Sequence, residues 1–190
     1  KTICLFEIEA PLGARHAQAG QFVIFRLDEQ GERTPVSVAG YDREKGTVTV
    51  MVQAAGRTTR MLHTVEEGDY ISDFVGPLGK ATEMDGLKKV CVVGGGVGCA
   101  IAYPIAKEMH EKGIDVTFIA GFRSKDIVIL EDEMKAASNK SIICTDDGSY
   151  GIKGFTTALL QQEIDANIAE GRSQFDRVIA IGPDIMMKFL

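Results

Sequence analysis

The sequence predicts an all-β unit followed by an α/β unit: an antiparallel barrel or sandwich, then a parallel sheet with helices on both faces. Three observations predict it. Short alternating apolar segments, separated by turn residues, occupy the chain up to about Asp85. Beyond that point the order becomes strand, helix, strand. Near the change stands Val90-Cys91-Val92-Val93-Gly94-Gly95-Gly96-Val97-Gly98, an apolar run feeding clustered glycines.

In the first part, residues 5–9, 21–27, 35–39, 47–52 and 69–75 read as strands by alternation. Gly13, Gly20, residues 28–31, 42–46 and 66–68 supply the turns between them. In the second part, strands fall at 89–93, 115–120, 141–145 and 177–181, and helices at 99–112, 128–137, 155–169 and 184–190. Gly113 ends the first of these helices in the usual left-handed manner. Pro104 belongs near a helix start, so the regular part of that helix is expected to begin close to it. The organisation is therefore two domains, 1–85 and 86–190.

The glycine run has a physical reading of its own. Continuous Val/Ile-type strands are buried between helical layers. Glycines after such a strand let backbone approach a ligand without a Cβ in the way. The following helix N-terminus offers N–H groups and a positive dipole end to a diphosphate. The strict G-x-G-x-x-G fingerprint is broken, because Cys99 stands at its last glycine. The acidic residue expected about 20 positions on is also missing from Phe118-Ile119-Ala120-Gly121-Phe122-Arg123. A tight strand–helix turn without a ligand would give the same pattern.

Composition removes other classes. The chain has 190 residues, 45% hydrophobic and 25% charged, with a net charge of −6. That is enough apolar material for one large core or two modest ones, and the acidic balance argues against nucleic acid. No apolar run approaches the length of a membrane span. No secretory signal opens the chain, which predicts a cytoplasmic protein. The chain starts mid-pattern without a Met, as a piece of a longer protein would. Cys4, Cys91, Cys99 and Cys144 are far apart, with no C-x-x-C pair, and His16, His63 and His110 are equally dispersed. A metal centre needs clustered ligands, so no metal site is expected within these residues. The cysteine spacing suits a reducing compartment.

A barrel followed by a nucleotide-type α/β domain resembles the ferredoxin-NADP reductase-like flavoproteins, and five motifs in order carry that resemblance. Arg33-Thr34-Pro35-Val36-Ser37 resembles the family's flavin motif. There the arginine reaches the flavin diphosphate, while the strand backbone and the serine line the isoalloxazine. Gly56-Arg57-Thr58-Thr59 resembles the second flavin motif, whose N–H groups and hydroxyls hold the diphosphate. Thr58 and Thr59 equally suit helix capping. Gly76-Pro77-Leu78-Gly79 is similar to the turn closing the barrel. Gly94-Gly95-Gly96-Val97-Gly98-Cys99-Ala100 is similar to the nicotinamide-dinucleotide loop. Gly182-Pro183 with Met186-Met187 resembles the C-terminal segment near the nicotinamide, although such methionines more often pack in cores.

Within the family, Gly76-Pro77-Leu78-Gly79-Lys80 and Thr145-Asp146-Asp147-Gly148-Ser149-Tyr150-Gly151 point to one branch. It holds the dihydroorotate dehydrogenase electron-transfer subunit and the alpha subunit of NAD-dependent ferredoxin:NADP oxidoreductase. Residues 121–125 and 129–134 lean toward the second. Ile101 departs from the branch, which commonly has a proline there. The resemblance implies a Greek-key flavin-binding barrel with its first strand clipped, then a doubly wound nucleotide-binding domain with its end cut short. FAD and NAD(H) are the implied cofactors. A [2Fe–2S] cluster is implied only for a longer parent chain, because its cysteines would follow Leu190.

The dinucleotide is argued from charge. NADP reductases of the plant type place a Ser-Arg pair after the third strand of this domain, where this chain has Thr145-Asp146-Asp147. Two carboxylates repel a 2′-phosphate, whereas a carboxylate accepts hydrogen bonds from a free ribose hydroxyl. Arg123 pulls the other way, so NADP(H) is the second choice. Asp-Gly is also ordinary turn chemistry. No catalytic side chain is expected, because the flavin would carry the redox chemistry. The expected activity is hydride exchange between the pyridine nucleotide and flavin, with electrons passed to an iron–sulfur partner in a hetero-oligomer. The alternatives are delivery to a dihydroorotate dehydrogenase catalytic subunit and a nucleotide-binding module without flavin.

Overall fold

Alternation sets the first five strands, as β4 (Thr47–Gln53) illustrates: Val48, Val50 and Val52 are buried and the residues between them are not. The computed structural model describes residues 3–189, so Lys1, Thr2 and Leu190, the last residue of the expected 184–190 helix, lie outside the described residues. Contacts divide the chain into Lys1–Thr82 and Glu83–Leu190.

In the first unit, β1 (Ile3–Glu9), β2 (Phe22–Arg26), β3 (Thr34–Asp42), β4 and β5 (Asp73–Leu78) form an antiparallel sheet in the order β1-β4-β3-β2-β5. Strands β2, β3 and β4 follow one another as neighbours, and β5 returns beside β2, which is a Greek key. β3 pairs through Thr34–Ser37 with β2 and from Val38 onward with β4, with a register shift between Val38 and Gly40. Such a bulge bends the sheet. One core results: Val23, Phe25, Val38, Val48, Val50 and Leu62 pack with Ile8 of β1 and Phe74 of β5, from opposite ends of the strand order. The sheet therefore curls around its own interior.

Two expectations fail here. Gly13, read as turn material, lies inside a helix, α1 (Pro11–His16). Pro11 occupies the first turn, where a missing N–H costs nothing. Gly13 is buried because helix and sheet approach closely there, beside Val48 and Phe74. The Arg43 guanidinium covers the C-terminal end of α1, donating to the carbonyls of Ala17 at 3.0 Å and Arg15 at 3.4 Å. The strand expected at 69–75 begins instead at Asp73 and runs through Gly76-Pro77-Leu78, so that motif is strand rather than a separate closing turn. The short helix α2 (Arg57–Leu62) lies between β4 and β5 in the chain.

The strands of the second unit are β6 (Lys89–Gly95), β7 (Asp115–Phe122), β8 (Lys140–Thr145), β9 (Ile152–Lys153) and β10 (Arg177–Ile181). They form a parallel sheet in the order β10-β6-β7-β8-β9. Its helices are α3 (Gly98–Glu111), α4 (Glu131–Ala136), α5 (Thr156–Ala169) and α6 (Asp184–Met187). Cys91, Val93, Ile119 and Cys144 pack on Leu159 and Leu160 of α5. Alternation leaves Val90, Val92 and Phe118, all fully buried, for the opposite face, where α3 lies along β6 and β7. The sheet is thus doubly wound. Asp176 fixes its start, accepting the N–H groups of Lys88 at 2.7 Å and Lys89 at 2.9 Å. Those two donors hold the Asp176 carboxyl below the usual carboxylate range.

Three boundaries differ from expectation. α3 starts at Gly98 and carries Pro104 inside it, buried among Ala102, Ile105 and Ala106. Packing outweighs the lost helical hydrogen bond. The helix expected at 128–137 begins only at Glu131, after a 3-10 turn over Lys125–Ile127 and a left-handed Leu130 with φ 56°. The helix expected at 184–190 is the short α6, which ends at Met187, and the two-residue β9 is an element that alternation does not predict. Among the described residues no helix is long and apolar enough to cross a membrane.

Candidate functional site

In the second unit the strand order reverses beside β6. From β6 the chain moves outward through β7 and β8, then returns to place β10 on the other side of β6. Open parallel sheets bind ligands at the carboxyl ends of the strands flanking such a reversal. Here those ends are Gly94-Gly95 of β6, followed by Gly96 and Val97, and Ile181 of β10, followed by Gly182-Pro183. Gly94 and Ile181 are register partners.

The glycines are required by contact. A Cβ on Gly94 would stand 2.7 Å from Cys99 Sγ, and one on Gly95 would stand 2.7 Å from Met186 Sδ and 3.0 Å from Pro183 Cδ. A Cβ on Gly98 would meet the Ile181 carbonyl group and lie 3.0 Å from Gly182 Cα. The Gly182-Pro183 segment and Met186 therefore pack directly on the glycine loop. Gly96 is different. Its φ is 55°, and a Cβ there would meet nothing within 4 Å. Its N–H donates to Gly121 O at 2.8 Å, which ties the loop to β7. The fourteen-residue α3 starts here without a side-chain cap and without acid in its first turn, leaving its positive end uncompensated.

The loops after β7 and β8 make a second cluster at the same edge of the sheet. Asp146 N–H donates to Phe122 O at 3.0 Å and Asp147 N–H to Arg123 O at 3.3 Å. Arg123, Asp146 and Asp147 are all exposed. The Asp147 carboxylate accepts the Ser149 hydroxyl at 2.6 Å and the Ser149 N–H at 2.9 Å, and these bonds hold its carboxyl below the usual range. Beneath them the buried Thr145 hydroxyl donates to Tyr150 O at 2.7 Å. Tyr150 donates its phenol to Glu131 at 2.8 Å, Glu131 pairs with Lys135 at 2.6 Å, and the Lys125 ammonium lies 5.3 Å from the Tyr150 ring centre. Glu131 raises the Tyr150 phenol above its ordinary pKa.

In the first unit, Pro35, Val36 and Ser37 lie on β3 opposite Ile24, Val23 and Phe22. Arg33 precedes that strand, is exposed, and pairs with Asp73 at 3.3 Å. Gly56 sits just before α2, where a Cβ would also meet open space. Thr59 Oγ1 accepts the N–H groups of Gly56 at 2.9 Å and Ala55 at 3.0 Å, so it takes the capping role. Thr58 is buried, and its hydroxyl donates to Glu32 Oε2 at 3.2 Å. That bond joins the Arg33 segment to the Gly56 segment. Beside it lies a cavity of about 450 Å³ bounded by Asp28, Glu29, Glu32, Arg57, Thr58 and Met61.

Sequence reasoning missed Glu32, Asp73, Glu131 and Gly121. A Cβ on Gly121 would lie 2.5 Å from Thr156 Cγ2. A glycine ending an apolar strand is the signal that could have found it. The others are tertiary partners with no local mark. Among the described residues no group of three His, Cys, Asp or Glu side chains could hold a metal ion. All four cysteines are free thiols. Burial pushes the Cys91 and Cys99 thiols up to about 12 and Cys144 to about 11, so these three are inert core groups.

No family model matches the chain. A Thermotoga maritima protein named as a homologue of the dihydroorotate dehydrogenase B (NAD(+)) electron transfer subunit is 44% identical over 184 residues. That match covers 97% of this chain and 63% of the relative. The Shouchella clausii electron transfer subunit is 35% identical over 190 residues, covering 96% of this chain and 69% of that one. The chain belongs to the dihydroorotate dehydrogenase B electron-transfer-subunit family. The NADH-dependent reduced ferredoxin-NADP oxidoreductase structure aligns with a TM-score of 0.89 and 39% identity, over 100% of this chain and 66% of that one. Membership in this electron-transfer-subunit family thus comes with the ferredoxin-NADP reductase-like fold, and the resemblance argued from five motifs holds.

Proposed function

We propose that the chain is the flavin and pyridine-nucleotide core of an electron-transfer oxidoreductase subunit, with FAD on the first unit and NAD(H) on the second. The observation that carries this is the convergence of Gly94–Gly98 with Gly182, Pro183 and Met186 where the parallel sheet reverses. The fit to both groups rests on two places where a Cβ would fill open space, Gly56 and Gly96. Backbone can approach a diphosphate at each.

When bound, the flavin supplies hydride acceptance from a reduced nicotinamide and release of single electrons. The protein's part is binding and orientation. Arg33 offers a planar fork of donors to the flavin diphosphate. The backbone of Pro35, Val36 and Ser37 lines the ring, and Thr58 and Thr59 shape the turn before α2. Gly94, Gly95, Gly96, Val97 and Gly98 receive the dinucleotide diphosphate at the α3 N-terminus. Gly182, Pro183 and Met186 bound the nicotinamide end. Asp146 accepts the adenosine ribose hydroxyls, while Asp147 is already bonded to Ser149 and adds negative charge against a 2′-phosphate. Arg123 stays at the rim of that pocket.

The relatives' names, electron transfer subunits of dihydroorotate dehydrogenase B, support electron delivery to a catalytic subunit within a hetero-oligomer, and the name of the solved reductase supports ferredoxin, an iron–sulfur protein, as the other partner. The chain spans 63% of its Thermotoga maritima relative, and a [2Fe–2S] cluster is assigned only to a longer parent. Fluorescence-quenching titration with FAD and with FMN tests the flavin half. FAD is expected to bind at least about tenfold tighter, because charge-assisted contacts address a diphosphate that FMN lacks. Equal affinities would contradict this assignment.

A further inference from the structure

We propose that Asp73 is a positioning residue for the flavin diphosphate, holding the Arg33 guanidinium while Arg26 compensates its charge. This rests on the reading of Arg33 as the diphosphate ligand. Asp73 Oδ2 forms an ion pair with Arg26 Nε at 2.6 Å and accepts a hydrogen bond from Arg33 Nη2 at 3.3 Å. Arg26 and Asp73 are direct cross-strand partners on β2 and β5, so backbone register fixes their pairing. Arg26 Nη1 also donates to Glu29 O at 3.0 Å, which anchors the guanidinium at a second point.

The charges decide what such a group can do. A carboxylate paired with Arg33 alone would neutralise it and oppose an anion. With Arg26 on the same oxygen, two cations face one anion and a net positive charge remains. Asp73 engages one Nη of Arg33, and the guanidinium fork has further N–H donors to offer a phosphate. The Arg33 side chain is 66% exposed, and exposed ion pairs add little to stability. Its worth lies in orientation: a free arginine side chain loses much rotamer entropy on binding, and pre-ordering removes part of that loss. Glu32, the neighbouring carboxylate, accepts the Thr58 hydroxyl and bonds none of Arg33, Arg26 and Asp73.

The test is a cycle of Asp73→Asn, Arg33→Ala and the double variant, with FAD affinity read by fluorescence quenching and melting temperature read on the same samples. Asp73→Asn is expected to raise the FAD Kd about tenfold, the low end of what supporting partners of metal ligands are worth. Its melting temperature should stay near that of the parent. In the Arg33→Ala background it should add nothing. An Asn variant that binds FAD as well as or better than the parent overturns the proposal, as does an equal loss in both backgrounds. If Arg33→Ala leaves the Kd unchanged, the underlying reading of Arg33 fails instead. Should the Asn variant not fold, Asp73→Glu keeps the charge but moves the carboxylate by one methylene. A raised Kd at parental melting temperature supports the proposal there, and an unchanged Kd overturns it.

Discussion

Gly98→Ala is expected to abolish dinucleotide binding and lower the melting temperature, whereas Gly96→Ala should mainly weaken binding. At Gly98 the added Cβ would lie 2.8 Å from the Ile181 carbonyl carbon and 3.0 Å from Gly182 Cα. Both are backbone atoms that cannot rotate away. Relief requires the end of β10 to move from β6, at the upper end of the about 1–3 kcal/mol that overpacking costs. That movement also opens the reversal point of the sheet. At Gly96 nothing stands within 4 Å of the added carbon, and only its φ of 55° opposes alanine. The left-handed conformation costs about 1 kcal/mol. The methyl group would instead occupy the open space proposed to receive the diphosphate. Calorimetry for melting and NADH titration for binding separate the two effects. A Gly98→Ala protein that melts and binds like the parent would contradict the packing described for β6 and β10.

Asp146→Asn is expected to move dinucleotide preference toward NADPH, chiefly by strengthening NADPH binding. Asp146 is exposed and the Ser149 turn bonds Asp147 instead, so on the proposed reading its charge faces the ribose. Two unit charges about 5 Å apart repel by about 1–3 kcal/mol between the dielectric limits of water and a protein surface. The NADH-to-NADPH affinity ratio should therefore fall at least about fivefold. Asp147→Asn should disturb the ratio less directly, because that carboxylate is a structural acceptor within its own loop. The two ratios are measured by titrating both nucleotides against both variants. An unchanged ratio in Asp146→Asn would place the ribose elsewhere.

The second unit was the more legible half. Its apolar strands and the helix after Gly98 are long enough for periodicity to declare them, and Arg177–Ile181 falls where the sequence puts it. The dispersion of Gly94–Gly98 and Gly182-Pro183 over the chain hid their contact, but their residue types pointed to the same ligand. Illegible elements had local chemistry that mimics something else. The six residues of α1 begin Pro-Leu-Gly, which reads as a turn when no long apolar face overrides it. The expected 69–75 strand slipped because alternation does not mark where a ladder starts, and β5 is set by its pairing with β2. β9 needs only two residues beside the end of β8, too few for any period. Within the candidate site, the residues proposed to face ligands carried motifs, but the side chains bonded to them did not. Glu32 reaches Thr58 across 26 positions and Asp73 reaches Arg33 across 40. Distances of that kind belong to the fold and leave no trace in local sequence.

The most direct measurement is the visible absorbance of the FAD-reconstituted chain as NADH is added without oxygen. Hydride exchange between the nucleotide and the flavin predicts a yellow protein whose flavin band is lost on mixing, with NADPH far less effective at equal concentration. A chain that takes up no FAD, or one that stays yellow at saturating NADH, would contradict the account.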